Sequence, residues 1–145
     1  MSIILKPLCW AILVIALFSS CSKSSRSVTE NLCAGTWTYL KIAKDTNHNN
    51  VADANEWVTL SSLGYTHAVI SFNADSTGYE VGTDTTHGVQ ISDSVTMNWV
   101  YHSNTNYLDV IAYNTNHYHI DQITNNTLIY KDTSGGITTW SYLVR

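Results

Sequence analysis

The segment Val95–Tyr101 puts Val95, Met97, Trp99 and Tyr101 on one side and Thr96 and Asn98 on the other. That is the two-residue period of a strand with one buried face. Related textures recur along the chain. Gly35–Lys44 is β-branched and aromatic, and Thr66–Phe72 carries Ala68, Ile70 and Phe72 in phase. Tyr79–Gly82, Tyr107–Tyr113 (Leu108, Val110 and Ala112 in phase), the segment led by Tyr118 and Ile120, Leu128–Tyr130 and Ile137–Val144 follow. Turn residues separate most of them, as at Asn73–Gly78, Ser103–Asn106, Asn114–Asn116, Thr124–Asn126 and Asp132–Gly136, while Thr83–Gly88 reads as a polar loop. Strands joined by short turns pair antiparallel. A meander of about eight can close on itself and lose both edges. At that count the interior is filled by side chains or holds one small ligand. The expected fold is all-β, an eight-stranded antiparallel up-and-down barrel. An open sandwich would need long crossovers, and only Asp45–Glu56 is long enough to serve as one. Beyond that loop, Trp57, Leu60 and Leu63 are spaced by three ahead of Gly64, which predicts one short amphipathic helix with a glycine stop.

Composition agrees. Charged residues make up 12% of the 145, against about 25% in ordinary globular chains. Thr, Asn and Ser supply the polarity instead, and Pro7 is the single proline. Disordered, collagen-like and coiled-coil chains need other biases. The net charge of −4 offers no basic field for nucleic acid.

Met1–Ser20 has one early cation, Lys6, and an apolar run from Leu8 to Phe18. The run is too short for the roughly 20 residues of a membrane span and reads as a secretory signal. It ends in Leu17-Phe18-Ser19-Ser20-Cys21, which resembles the lipobox of bacterial lipoproteins, where the Cys becomes the acylated first residue. The resemblance implies acyl chains such as palmitate on Cys21 and a membrane anchor worth about 0.8 kcal/mol per buried CH₂. It also implies a place in the cell envelope, at the outer membrane. The stretch after Cys21 lacks the acidic residues common in surface-exported relatives, which favours the periplasmic face. The expected division is a signal at 1–20, a flexible tether at 21–32 rich in Ser and cations, and one domain at 33–145. With Cys9 removed and Cys21 acylated, Cys33 is alone, so no disulfide framework supports the domain.

Gly35-Thr36-Trp37 looks like the Gly-x-Trp that opens the lipocalin barrel. The closing Tyr142-Leu-Val-Arg145 is similar to the last lipocalin strand, in which an Arg covers that Trp. Ser71-Phe-Asn-Ala-Asp-Ser-Thr-Gly78 and Tyr118-His-Ile120 followed by Ile123–Leu128 resemble segments of lipocalin-like lipoproteins of Bacteroidetes-type bacteria. The resemblance implies a lipocalin-like cup, with Trp37 and Arg145 paired at one barrel end. A guanidinium stacked on an indole contributes roughly 0.5–2 kcal/mol.

The loop Asp45-Thr-Asn47-His-Asn49-Asn50-Val51-Ala-Asp53-Ala-Asn-Glu56 resembles a twelve-residue EF-hand loop. Side-chain oxygens stand at its first, third, fifth and ninth places (Asp45, Asn47, Asn49, Asp53), the Val51 carbonyl at its seventh, and Glu56 at its twelfth. Asn50 replaces the usual glycine and tolerates the same left-handed bend. Hard oxygens without sulfur point to Ca²⁺, in a weak, structural site. Of the six histidines, His117 and His119 share a strand face that reads as the outer one.

No nucleophile elbow, phosphate loop or HExxH occurs in the sequence, so the expectation is a binding protein and not an enzyme. The ligand expected is small and largely apolar, lined by the inward phases Ala68, Ile70, Phe72, Met97, Trp99, Tyr101, Leu108, Val110 and Ile120. The alternative is a solid-cored interaction or glycan-binding module of an envelope complex. An apolar void would separate the first from the second.

Overall fold

The computed structural model describes residues 26–145 apart from 87 and 88, and the side chains of 86 and 89–91 also stand outside the description. The signal at 1–20 and the acylation site Cys21 therefore lie outside the described residues. A short helix, α1 (Val28–Leu32), precedes nine strands: β1 (Thr36–Lys44), β2 (Trp57–Thr59), β3 (Tyr65–Phe72), β4 (Thr77–Thr86), β5 (Val89–His102), β6 (Tyr107–Ile111), β7 (Thr115–Ile123), β8 (Thr127–Ser134) and β9 (Ile137–Val144). Successive strands from β3 to β9 pair antiparallel, β3 pairs with β1, and β9 returns to β1. The eight strands β1 and β3–β9 thus form a closed barrel. The short β2 lies along the part of β1 that β3 leaves open, Lys41–Ala43.

The phases read from the sequence set which side chains turn inward. The register carries them round the ring: Trp37 opposite Ile70, Phe72 opposite Gly78, Gly78 opposite Met97, Trp99 opposite Val110, Leu108 opposite Tyr118, and Leu128 opposite Leu143. Apolar inward residues concentrate at one end. Leu32, Trp37, Ile70, Phe72, Met97, Trp99, Leu108, Val110, Ile120, Leu128, Tyr130 and Leu143 form one packed core there. Gly78 is required at this floor, because a Cβ would collide with the Ser71 carbonyl and lie 2.7 Å from Met97 Cε. Trp99 also donates its indole N–H to the carbonyls of Thr77 (2.9 Å) and Asn73 (3.1 Å), tying β5 to the turn before β4.

Trp37 closes the floor. It is fully buried, its indole N–H donates to the Leu32 carbonyl at 3.0 Å, and the Arg145 guanidinium carbon lies 4.1 Å from its ring centroid. Helix α1 continues the plug, with Leu32 wholly buried. This differs from the tether expected over 21–32. The reason is local: Ser27 and Glu30 form a capping box, each side chain holding the other's backbone N–H, and Leu32 then has the barrel floor to bury against.

Two other expectations need correction. Trp57 does not begin a helix. Trp57–Thr59 is strand β2, and only Leu60–Leu63 makes a 3-10 turn, none of it buried, before Gly64 stops it at φ 90°. The exposed flank of β1 offers ladder hydrogen bonds, and Val58 and Thr59 suit a strand better than a helix. Thr83–Gly88 is likewise not a loop as far as Thr86, because β4 runs on, paired against Val89–Ser92. The β-branched threonines there find a partner strand, which their polarity concealed.

The wall opens away from the floor. β7 and β8 pair only from His119–Lys131 to Ile123–Leu128, with a bulge at Asp121, so Thr115–Tyr118 and Asp132–Ser134 stand apart. β3 meets β1 only over Val69–Ser71. The barrel is a cup with its mouth opposite α1.

Candidate functional site: the recess at the mouth

A recess of about 190 Å³ lies where β1, β3 and β4 diverge. Ile42, Leu60, Leu63 and Ala68 supply apolar wall, Tyr39 and Tyr65 aromatic wall, and Gly82 leaves room. Glu80 is its single charged lining residue. Each group has a structural reason to be there. A bulge between Tyr39 and Lys41 keeps Tyr39 inward, opposite Leu143, and expels Leu40 to the surface. Register sets Ala68 against Gly82 and Ile70 against Glu80, so the carboxylate rises one step above the apolar floor.

Glu80 retains access to water through the mouth while protein surrounds its flanks. Burial pushes its carboxyl above the usual carboxylate range, and a hydrogen bond with Tyr39 pulls it part of the way back. Beside it the Tyr39 and Tyr130 hydroxyls are 2.5 Å apart, and the rings of Tyr130 and Tyr118 meet tilted at 46° with centroids 4.6 Å apart. Burial lifts Tyr39 and Tyr130 well above the ordinary phenol value and Tyr118 to about 12. These phenols stay protonated as hydrogen-bond donors throughout the physiological range.

Seven of the nine residues expected to line a ligand (Ile70, Phe72, Met97, Trp99, Leu108, Val110 and Ile120) pack against one another in the floor core, and Tyr101 packs at its margin. Tyr101 donates its hydroxyl to Asn106 Oδ1 at 2.6 Å, and Asn106 in turn holds the Ile120 carbonyl. Of the nine, Ala68 alone lines the mouth recess. Sequence reading missed Tyr39, Ile42, Leu60, Leu63, Tyr65, Glu80 and Gly82. A signal existed for Glu80, which shares the inward phase of Gly78 and Gly82.

The Asp45–Glu56 loop lies outside the barrel, against β9. The Asp45 N–H donates to the Thr138 carbonyl at 2.9 Å, and Thr138 reaches Asn50 Oδ1 at 3.4 Å. Asp45 and Glu56 are both buried. The Asp45 carboxylate accepts the backbone N–H groups of Asn49 and Asn50, while His48 and Asn50 adopt left-handed φ values of 59°. Asn47 and Asn49 donate their amides to the same Asp53 Oδ2, at 2.8 and 2.9 Å. Glu56 takes the Thr46 backbone N–H (2.7 Å), the Thr46 hydroxyl (2.8 Å) and the Asp53 N–H (3.2 Å), and the Thr46 N–H chiefly lowers its pKa. Among the described residues no three His, Cys, Asp or Glu side chains converge as a metal-binding group.

His117 and His119 face outward. Asp109 bridges His117 (2.7 Å) and His102 (3.0 Å), and the His117 hydrogen bond is the main cause lowering its pKa. Asp121 joins His119 (2.9 Å), Lys131 (3.0 Å) and the Trp140 indole (3.0 Å). Partners within the sheet account for both clusters.

No family model matches this chain, and no curated protein matches it in sequence. Solved structures do. Japanin from Rhipicephalus appendiculatus superposes with a TM-score of 0.57 at 11% identity, covering 82% of this chain and 78% of japanin. A bovine lipocalin allergen overlaps more loosely, with a TM-score of 0.47 at 13% identity over 82% and 75% of the two chains.

Glu80 generates a stability prediction. An acid whose folded pKa is raised contributes most below its unfolded value of about 4.3, and that contribution is lost as pH rises through the folded value. Glu80→Gln is expected to melt above the wild type at about pH 7.5 and level with it at about pH 4, read by circular dichroism. An equal offset at both pH values would contradict the assignment. The closed antiparallel barrel, its plugged floor and the superposition on japanin together identify a lipocalin-like fold.

Proposed function

We propose that the chain is a membrane-anchored binding protein for a small, largely apolar molecule received at the open end of the barrel. The observation that carries this reading is the apolar recess above a closed floor. Burying an apolar body there gains about 25 cal/mol per Å² removed from water, with nowhere for the molecule to pass through. Japanin, which shares the fold, is described bound to cholesterol, and this supports the reading. At about 190 Å³ the recess falls below the roughly 300–1,000 Å³ of drug-sized sites, so the occupant is small or projects from the mouth. Ala68 is the test position. Ala68→Trp fills the recess and is expected to weaken N-phenyl-1-naphthylamine, an uncharged apolar fluorophore, by about tenfold or more in titration, that is, at least about 1.4 kcal/mol. Wild type that ignores this and every other apolar probe would leave the solid-cored interaction or glycan-binding module instead.

The anchor rests on the sequence before the described residues. The described residues begin beside the floor, where the Asn31 amide reaches the Arg26 carbonyl, and this supports a mouth directed away from the bilayer. Cys21→Ser is expected to abolish labelling by an acyl-chain precursor and to move the protein from the membrane to the soluble fraction. Retention of both would remove the anchor from this reading.

A Ca²⁺ in the Asp45–Glu56 loop completes the proposal. An Asn side chain turned half a revolution presents oxygen where it presented nitrogen. Turning Asn47 and Asn49 therefore exchanges two donors on Asp53 for two ligand oxygens beside it. Asp45, the Val51 carbonyl and Glu56, released from Thr46, would add the rest. The ion would fasten the loop to the outside of β9, away from the recess. With Ca²⁺ at about ten times its Kd, the expected gain is about 1.4 kcal/mol, a rise of a few degrees in Tm reversed by EDTA and absent in Glu56→Gln. An unchanged Tm at millimolar Ca²⁺ would reject the site.

A further inference from the structure

The recess carries one carboxylate in an otherwise uncharged lining, and a ligand without charge does not explain it. Glu80 takes part in none of the ion pairs among the described residues. Its neighbours in the recess are Tyr39, Tyr65, Ile42, Leu60, Leu63 and Ala68. Glu80 is exposed toward the mouth, so a ligand can reach its carboxylate, and an opposite charge brought against it there is favourable. The nearby inward phases carry more acid than base: Asp93 pairs with Gly82 and Asp132 stands two residues beyond the inward Tyr130, against the cation Lys44 two residues beyond Ile42. An acidic mouth draws cations and repels anions. Tyr39 and Tyr65 line the same recess, and an aromatic face turned to a cation favours it.

Building on the reading of the mouth as a ligand site, we infer that the ligand is a small organic amine, with its protonated nitrogen against Glu80 and its apolar body among Ile42, Leu60, Leu63 and Ala68. The amine supplies a counter-charge that Glu80 lacks among the ion pairs of the described residues, and the Tyr39 hydroxyl beside the carboxylate offers an oxygen to its remaining N–H groups. The recess of about 190 Å³ encloses something near a single ring, and a larger body projects from the mouth. The raised carboxyl pKa of Glu80 fits a group held ready for a cation, since an ammonium at contact distance would favour its ionised form.

The test compares three probes of one shape by calorimetric titration at physiological salt: phenethylamine, 2-phenylethanol and 3-phenylpropionate. Wild type is expected to bind the amine about tenfold or more tightly than the alcohol and to give no heat with the carboxylate. Glu80→Gln should bring amine and alcohol within about threefold of each other, and Glu80→Asp should keep the preference for the amine. Near-UV circular dichroism checks that both variants are folded. If wild type binds amine and alcohol equally, the amine assignment is overturned while the recess remains a site for apolar molecules. If wild type binds none of the three and ignores N-phenyl-1-naphthylamine as well, the recess is not a ligand site and both readings fall.

Discussion

The burial of Trp37 is the constraint on which the rest of the molecule turns. An eight-stranded ring has two open ends, and here one of them is sealed. The indole does this from the first turn of β1, with its N–H satisfied by Leu32 and one face covered by Arg145. The partners come from both ends of the described chain, so a single side chain joins α1, β1 and the residue after β9. An unpaired indole N–H at such depth would cost roughly 1–3 kcal/mol. The Leu32 carbonyl removes that penalty and in doing so fixes where α1 must lie.

From that seal the interior divides by height. Near Trp37 the inward side chains are large and apolar, and the indole N–H groups of Trp37 and Trp99 are met by backbone carbonyls. One step up, Tyr39 and Tyr130 meet hydroxyl to hydroxyl. Another step brings Glu80, and beyond it Asp93 and Asp132. The gradient follows the cost of desolvation. Alkyl groups gain most where water is absent, phenols tolerate partial burial when paired, and a carboxylate needs access to the mouth.

The strand pattern was legible because alternation survives closure: Met97 and Trp99 face inward whether the sheet is flat or curled. The Gly35–Trp37 start and the Arg145 end were legible as a resemblance, and the contact between them is in the structure. Trp57–Thr59 was not legible, since three residues carry no period and their strand state depends on the free flank of β1. Helix α1 was obscured because its two stabilising features, the Ser27–Glu30 box and the buried Leu32, sit in a stretch of otherwise polar composition. The recess was hidden for a related reason. Alternation tells in from out but not floor from mouth, so residues of the packed core were grouped with Ala68. Glu80 was passed over because its segment, Tyr79–Gly82, shows no apolar alternation to mark its inward face.

Ring closure has a temporal side. The seam pairs Thr38–Lys44 with Thr139–Val144, partners roughly a hundred residues apart and so of high contact order. β1 can meet β3 early, but its other edge stays bare until β9 has been synthesised. For that interval the nascent chain holds an unsatisfied strand edge and a half-covered indole. A barrel built this way reaches its finished shape only once β9 has been made, and until then its bare strand edge is open to pairing with another copy.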